Sequence, residues 1–337
     1  MPKRLINKLL QYLVFLCLGL VFAWLSFRNM DAEKWLQLQK SLQGTRLFIG
    51  IPVLFMLVLS HWIRAIRWKL LLEPLGYQPS SLNSFFAVMV GYLVNLGVPR
   101  LGEIVKCTLL SRYENIPADK LIGSIILERL IDALCLLGVF ALTLAVQPAL
   151  YGSIIATFFP SQETLLQEKT SLPFFWITLV ALSLLLLFWM KWKKKTFHDL
   201  LMLFSGVLQR IFEGISSIRH LNKRKQFVAL TIILWSLYLY SGYLGFLTFQ
   251  ETSYYGFKEA LTILSAGSIG MIASPGGIGA YAYLVQKTMQ LYGLNYTVSL
   301  AFGWLLWLAQ TAVILLLGVL SFVALPWINS KRKQRIH

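Results

Sequence analysis

Four charged side chains stand where the surrounding sequence is almost free of charge. Arg100 and Glu103 directly follow the uncharged run Leu82 to Pro99, and Arg129 and Asp132 interrupt the run Leu121 to Val146, with Lys106 and Glu128 beside them. If these runs lie in a bilayer, each such side chain costs about 2.5 to 3.5 kcal/mol at its centre, so the group must turn inward and pair. Arg129 and Asp132 are three apart and share a helical face, and Arg100 and Glu103 have the same spacing if their segment is helical. Two kinds of chemistry fit. One is a polar pocket in which Arg100 and Arg129 fork onto the oxygens of an anionic group, since guanidinium geometry matches phosphate. The other is a pair of salt bridges that locks two segments together.

A second constellation is made of backbone. Pro275-Gly276-Gly277-Ile278-Gly279 breaks an apolar run, and a helix restarting near Ile278 would present unpaired N–H groups and a positive dipole end to a phosphate or carboxylate. The same string also serves as a plain turn that reverses the chain. Other chemistry is not signalled. His61, His198, His220 and His337 form no HExxH or ligand cluster, and no GxxxxGK[ST] loop occurs. Cys17, Cys107 and Cys135 have no metal-ligand or CxxC spacing, and a disulfide scaffold is not expected. No metal and no cofactor is expected.

The elements that must position these residues follow from composition. Of the 337 residues 57% are hydrophobic and 13% charged, against roughly 45 to 50% and about 25% in soluble domains. An ordinary soluble domain is excluded. The net charge of +17 lies in short blocks between uncharged runs, so nucleic-acid binding is not needed to explain it. A bilayer core about 30 Å thick needs about 20 helical residues. Eight runs approach that length: Leu9 to Phe27, Leu47 to Ile63, Leu82 to Pro99, Leu121 to Val146, Leu172 to Met190, Gln226 to Phe249, Ala260 to Gln286 and Thr297 to Pro326. The first has a signal-like basic start but no convincing cleavage site, and is expected to be a retained span.

Lys and Arg concentrate on the cytoplasmic side. The N-terminal tail, Arg64/Arg67/Lys69, the stretch Lys191 to Lys225 and Lys331/Arg332/Lys333/Arg335 are therefore placed inside, and the loop holding Glu163 and Glu168 outside. The loop Arg28 to Arg46 is mildly basic and fits less well. An odd number of crossings must then separate Arg64–Lys69 from Glu163, although two runs intervene; Leu82 to Pro99, with Gly91, Asn95, Gly97 and Pro99, is the one expected to dip in and return. Between Lys191–Lys225 and the C-terminal tail an even number is required of three runs, and the broken Ala260 to Gln286 becomes a second hairpin, entering from outside.

The expected fold is an all-α polytopic membrane protein, a single integral membrane domain over 1–337, with about six full spans and two re-entrant hairpins. Its parts are a first span and loop (1–46), a span-hairpin-span repeat (47–146), an outer loop, span and basic cytoplasmic amphipathic helix (147–225), a second repeat (226–326) and a basic tail (327–337). The two repeats have opposite orientation, as in secondary transporters. Gly91 and Pro99 are eight apart, as are Gly267 and Pro275. Apolar residues at helical spacing from Leu200 to Ile218, flanked by basic clusters, predict a surface helix on anionic lipid.

Arg64-Ala65-Ile66-Arg67-Trp68, then Asn95-Leu96-Gly97-Val98-Pro99-Arg100-Leu101-Gly102-Glu103, Glu128-Arg129-Leu130-Ile131-Asp132 and Pro275-Gly276-Gly277-Ile278-Gly279 carry a resemblance over nearly the whole chain. In order and spacing they resemble the lysylphosphatidylglycerol synthase transmembrane-region family, also called flippase-like proteins. The resemblance implies a protein that moves lipid headgroups between leaflets. By it, Arg100, Glu103, Arg129 and Asp132, with Asn95, form the headgroup-binding set, and Pro275, Gly276, Gly277 and Gly279 form a hairpin turn or gate. The family often has a carboxylate three positions after the last glycine, where this chain has Ala282.

The expectation is a lipid translocase of the bacterial cytoplasmic membrane with both termini inside. Its partners would be membrane lipids with anionic or lipid-phosphate headgroups, with room for a homo-oligomer or a separate membrane or cytosolic partner, and no nucleic acid. The rivals are a membrane-embedded transferase using Glu103 or Asp132 as base, for which no nucleophile, metal set or donor site is present, and a non-catalytic member of a lipid or glycan assembly.

Overall fold

The computed structural model describes residues 3–148 and 221–334. The chain divides into two units, Met1–Phe140 with His220–His337, and Ala141–Arg219. Of the second, only the first residues, the end of one helix, are described. The expected span Leu172 to Met190 and the expected surface helix from Leu200 to Ile218 lie outside the described residues. What is described is helical, with no strand. The helices are α1 (Lys3–Phe27), α2 (Ala32–Gln43), α3 (Gly50–Leu72), α4 (Ser81–Gly97), α5 (Leu101–Glu114), α6 (Ala118–Val146), α7 (Arg224–Phe246), α8 (Phe257–Ala273), α9 (Ala280–Leu291) and α10 (Tyr296–Gln334).

Among the described residues three stretches are long and apolar enough to cross a membrane: Gly50–Leu75, Arg224–Phe246 and Tyr296–Ser330. The pair α1 and α2, bent by 95°, makes a fourth if taken as one span. Two expectations are corrected here. The loop Arg28 to Arg46 contains α2, whose first turn is capped by Asp31 accepting from the Lys34 N–H at 2.8 Å. More consequentially, Arg64 and Arg67 do not flank the span but lie within its helix. Helix α3 runs through both to Leu72, and they are buried. A helix continues through charge when a neighbouring helix supplies the counter-charge, so the uncharged run ending at Ile63 underestimates it.

Two pairs of shorter helices are each built around a break. After α4 the chain turns at Val98–Arg100, with Arg100 in the left-handed region at φ 67°. Asn95 Oδ1 accepts from the Gly102 N–H at 2.8 Å, satisfying a donor that the start of α5 leaves free. The two helices cross at glycines: a Cβ on Gly102 would lie 1.8 Å from the Gly91 carbonyl oxygen, so no larger residue fits. Between α8 and α9 the turn uses φ of 57°, 71° and 69° at Gly276, Gly277 and Gly279, values that side chains disfavour. The Ser274 hydroxyl closes it by donating to the Ile278 carbonyl at 2.8 Å.

Polar contacts show which ends of these elements meet. The beginning of α4, the end of α5 and the end of α10 join where Asn83 Nδ2 donates to Glu114 at 2.5 Å and exchanges amide hydrogen bonds of 2.9 and 3.0 Å with Asn329. The foot of α3 and the start of α7 join through Glu73 and Lys223, 2.9 Å apart. The mouth of the α8/α9 pair closes where the Tyr255 hydroxyl donates to the Tyr292 carbonyl at 3.1 Å. The start of α10 meets the end of α1 where the Tyr296 hydroxyl donates to the Ser26 carbonyl. The tips of the two pairs touch: Leu96 packs on Gly276, whose carbonyl also accepts from Trp307 Nε1 at 3.0 Å.

Candidate functional site

Three helices carry their charges on buried helical stripes. On α6 the stripe is Leu121, Ser124, Ile125, Glu128 and Ile131, with Asp132 beside it; on α3 it includes Ser60, Arg64, Arg67 and Leu71; on α5 it is Gly102, Lys106, Cys107 and Leu110. These are the 3-and-4 spacings by which an apolar helix presents one face. Here the same spacings bring ions together.

Glu128, fully buried, receives Lys106 Nζ at 3.1 Å from α5 and Arg64 Nη1 at 3.3 Å from α3, with Arg67 Nη2 at 3.7 Å. Asp132 receives Arg64 Nη1 at 2.6 Å and, on its other oxygen, Arg67 Nη2. Arg64 also donates through Nη2 to the Tyr238 hydroxyl of α7 at 3.0 Å. Apolar walls hold the cations in place: Lys106 Nζ stands 4.5 Å from the Trp68 ring centroid and Arg67 lies over Phe227 at 5.8 Å. Trp68 Nε1 donates to Ser124 at 2.9 Å, tying α3 to α6 a turn away. On a neighbouring face of α6, Arg129 Nε lies 2.9 Å from Glu103 Oε1, an ion pair whose N–H is not aligned for a hydrogen bond.

Above this network is a cavity of about 470 Å³, within the range of small-ligand sites. Helices α3, α4 and α6 to α10 line it. Along α3 the lining passes from Val53 and Leu57 to His61 and Arg64, an axial distance of about 16 Å at 1.5 Å per residue. Along α6 it passes from Arg129 and Asp132 to Leu136. The cavity is thus graded from an apolar end to a charged one. Tyr92, Tyr238 and Gln310 add polar groups, and His61, buried with its ring tilted against Tyr92 at 5.3 Å between centroids, has no hydrogen-bond partner on either ring nitrogen. Among the described residues no group of three or more His, Cys, Asp and Glu side chains is placed to hold a metal ion.

The residues singled out in the sequence fall at different distances from this cavity. Arg129 and Asp132 line it; Glu103 stands one ion pair behind Arg129; Asn95 holds the α4/α5 turn; Arg100 is exposed at the tip of that turn and does not line the cavity. Pro275, Gly276, Gly277 and Gly279 form the other tip. Arg129 on α6 pairs with Glu103 on α5, a salt bridge between the two segments; Asp132 turns instead to Arg64 and Arg67 of α3, and Arg100 has no ion-pair partner among the described residues. Arg64 and Arg67 were missed as site residues. Their signal was available: an i, i+3 pair of arginines in one apolar run and an i, i+4 pair of carboxylates in another.

Fold and cavity together define a polytopic α-helical membrane protein with an internal amphiphilic chamber. The chain belongs to the family described as the lysylphosphatidylglycerol synthase TM region, whose model matches residues 9–318. It is also similar to a UPF0104 membrane protein of Methanocaldococcus jannaschii, 31% identical over 78 residues, which is 22% of this chain and 23% of that relative. The match therefore spans about a quarter of that relative's length. No solved structure matches.

Proposed function

We propose that this protein translocates a lipid with a charged headgroup between the leaflets of the cytoplasmic membrane, holding the headgroup in the cavity while the acyl chains stay in lipid. The observation that carries this is the grading of the cavity, charged at Arg64, Arg129 and Asp132, where a headgroup can be held, and apolar at Val53 and Leu136, which suits the headgroup end of an amphiphile better than a wholly polar solute. Arg129 holds the phosphate; Glu103 orients Arg129; Asp132 positions Arg64. Asn95 fixes the turn behind Glu103, and the Gly276–Gly279 turn is the gate at the other tip. Arg100 joins the binding set if the substrate passes the tip of the first pair.

The same proposal includes the finer architecture: α4/α5 and α8/α9 as re-entrant hairpins of opposite entry within six full spans, arranged as inverted repeats with both termini inside. Supporting it are the meeting of Asn83, Glu114 and Asn329 at the mouth of one pair, of Tyr255 and Tyr292 at the mouth of the other, and the contact of Leu96 with Gly276 between their tips. Discontinuous helices meeting near the midplane are a recurring site geometry in transporters.

The test is movement of headgroup-labelled lipids in proteoliposomes, with anionic, zwitterionic, cationic and polyprenyl-phosphate lipids and Arg129→Ala in parallel. Translocation of one class that disappears in a correctly inserted Arg129→Ala variant is expected. Wild-type rates in that variant would remove Arg129 from the mechanism, and no movement of any class by well-folded protein would remove the translocase assignment.

A further inference from the structure

The charged end of the cavity holds carboxylates that are already spent and donors that are not. Asp132 is the one acid in the cavity wall among the described residues, and both its oxygens are taken, one by Arg64 at 2.6 Å and the other by Arg67. Behind it Glu128 is shared by Lys106 and Arg64, while Glu103, outside the cavity wall and about a third exposed, is paired with Arg129 through one oxygen. An ammonium group reaching Asp132, the acid of the cavity wall, would have to displace a buried arginine from its counter-ion, leaving that cation unpaired in a medium where such a loss is strongly unfavourable. Four cations, Arg64, Arg67, Lys106 and Arg129, face three carboxylates, Glu103, Glu128 and Asp132, so the network is left one charge positive.

The donors point the same way. Arg129 is partly exposed to the cavity, and its terminal nitrogens have no protein partner among the described residues. His61 is 6% exposed, lines the cavity, and in either neutral tautomer has one N–H donor and one acceptor nitrogen without partners, so that its N–H is open to a ligand oxygen. Tyr238 accepts from Arg64, which leaves its own hydroxyl proton to donate into the cavity. A buried donor without an acceptor costs about 1 to 3 kcal/mol, and a ligand oxygen removes that cost. The opposite wall adds no acid: Gly267, Met271, Tyr281 and Leu306 are among its residues, with Ser268 and Gln310 as neutral polar ones, while Ala282 is fully buried with its carbonyl against Gly303.

We infer that the cavity selects an anionic phosphodiester headgroup and rejects a cationic, aminoacylated one, with His61 and Tyr238 joining Arg129 as the donors that read the phosphate oxygens. This rests on the cavity being the headgroup site proposed above, but it is a statement about binding and does not need transport to be observed. The same phosphate chemistry could come from a lipid or from a soluble phosphate ester, and the ligand set separates the two.

The experiment is equilibrium binding to the full-length protein in nanodiscs. The ligands are dioctanoyl phosphatidylglycerol, its lysylated derivative, dioctanoyl phosphatidylcholine and chain-free glycerol 3-phosphate. Dioctanoyl phosphatidylglycerol is expected to bind at least about tenfold more tightly than the lysylated lipid, with His61→Phe removing most of that preference and His61→Gln, which restores a donor, recovering it. Phe keeps the ring against Tyr92, and the Gln variant controls for misfolding. Equal or tighter binding of the lysylated lipid would overturn the inference, as would a His61→Phe variant that binds like wild type. Glycerol 3-phosphate binding as tightly as the lipid would assign the site to a soluble ester and overturn the lipid source. The binding preference without translocation in proteoliposomes would overturn only the translocase assignment.

Discussion

The two broken helix pairs, α4/α5 and α8/α9, are built to one plan and held by different forces. Each begins with a 17-residue helix, turns through residues in the left-handed region and returns in a shorter helix. The first is anchored electrostatically: Lys106 reaches Glu128 and Glu103 reaches Arg129, so α5 is tied to α6 by two ion pairs of opposite polarity. The second makes no ion pair among the described residues and is held by close backbone contact: a Cβ at Gly279 would fall 2.2 Å from the Gly19 carbonyl oxygen, and Gly270 lies directly against Tyr281. Its one buried amide, Gln286, has no partner for either of its polar side-chain atoms. Charge anchors one pair; close packing and neutral hydrogen bonds hold the other, so that a movement of the second pair would separate no ions in a poorly solvated interior.

The largest break in this comparison is expected from Glu128→Ala. Removing the carboxylate leaves Lys106 without its partner and Arg64 and Arg67 sharing Asp132 alone. Loss of one member of a buried ionic group typically costs about 3 to 5 kcal/mol. The variant should show a lowered melting temperature in detergent and a reduced yield of monodisperse protein, whereas Gln286→Met on α9, which deletes unpartnered polar atoms and keeps an apolar chain of similar length, should be neutral or stabilising. Equal destabilisation by the two would mean that the pairs are not held differently.

How much of this was legible before the structure depends on whether the controlling contact is local. The breaks at Pro99 and Pro275 to Gly279 were readable, because a turn is specified by the residues that make it. Glu103, Arg129 and Asp132 were readable as inward-facing, because an ionic group in an apolar run has few places to go. Arg64 and Arg67 fall beyond the run Leu47 to Ile63 because a search for uncharged runs treats every charge as an end, and their partners lie more than 60 residues away in sequence. The choice of ion-pair partners has the same origin: spacing gives the face of a helix, while the choice among facing charges is made by tertiary packing. The cavity itself needs seven helices to exist, and His61 acquires its role only when they are assembled.

Gly279→Ala tests the shape-held pair by an intermediate effect. The residue has φ 69°, and its added methyl would meet Gly19 and Ala23 of α1. Holding a side chain in that region costs about 1 to 2 kcal/mol before the contact is counted. The expected outcome is a clear loss of thermal stability, since the methyl meets backbone of α1 that must shift, together with reduced translocation and unchanged affinity for dioctanoyl phosphatidylglycerol in the protein that remains folded. If binding falls and translocation tracks it, the turn is part of the binding surface and the division of labour between the two pairs does not hold.

The smallest effect on stability, and the sharpest test of route, belongs to Arg100→Gly. Arg100 holds φ 67° at the exposed tip of the first pair, without an ion-pair partner among the described residues. Glycine adopts that conformation without a steric penalty but loses more freedom on folding, so the net change should stay within about 1 kcal/mol. The melting temperature should barely move, in contrast to Glu128→Ala, because the charge that anchors the pair sits on α5 and not at its tip. Translocation then divides two arrangements that stability cannot. Retained transport would confine recognition to the cavity residues Arg129, His61 and Tyr238. Lost transport in a stable variant would mean that the headgroup crosses over the tip, where Leu96 meets Gly276, and that the charged pair guides the substrate while the uncharged one gives way.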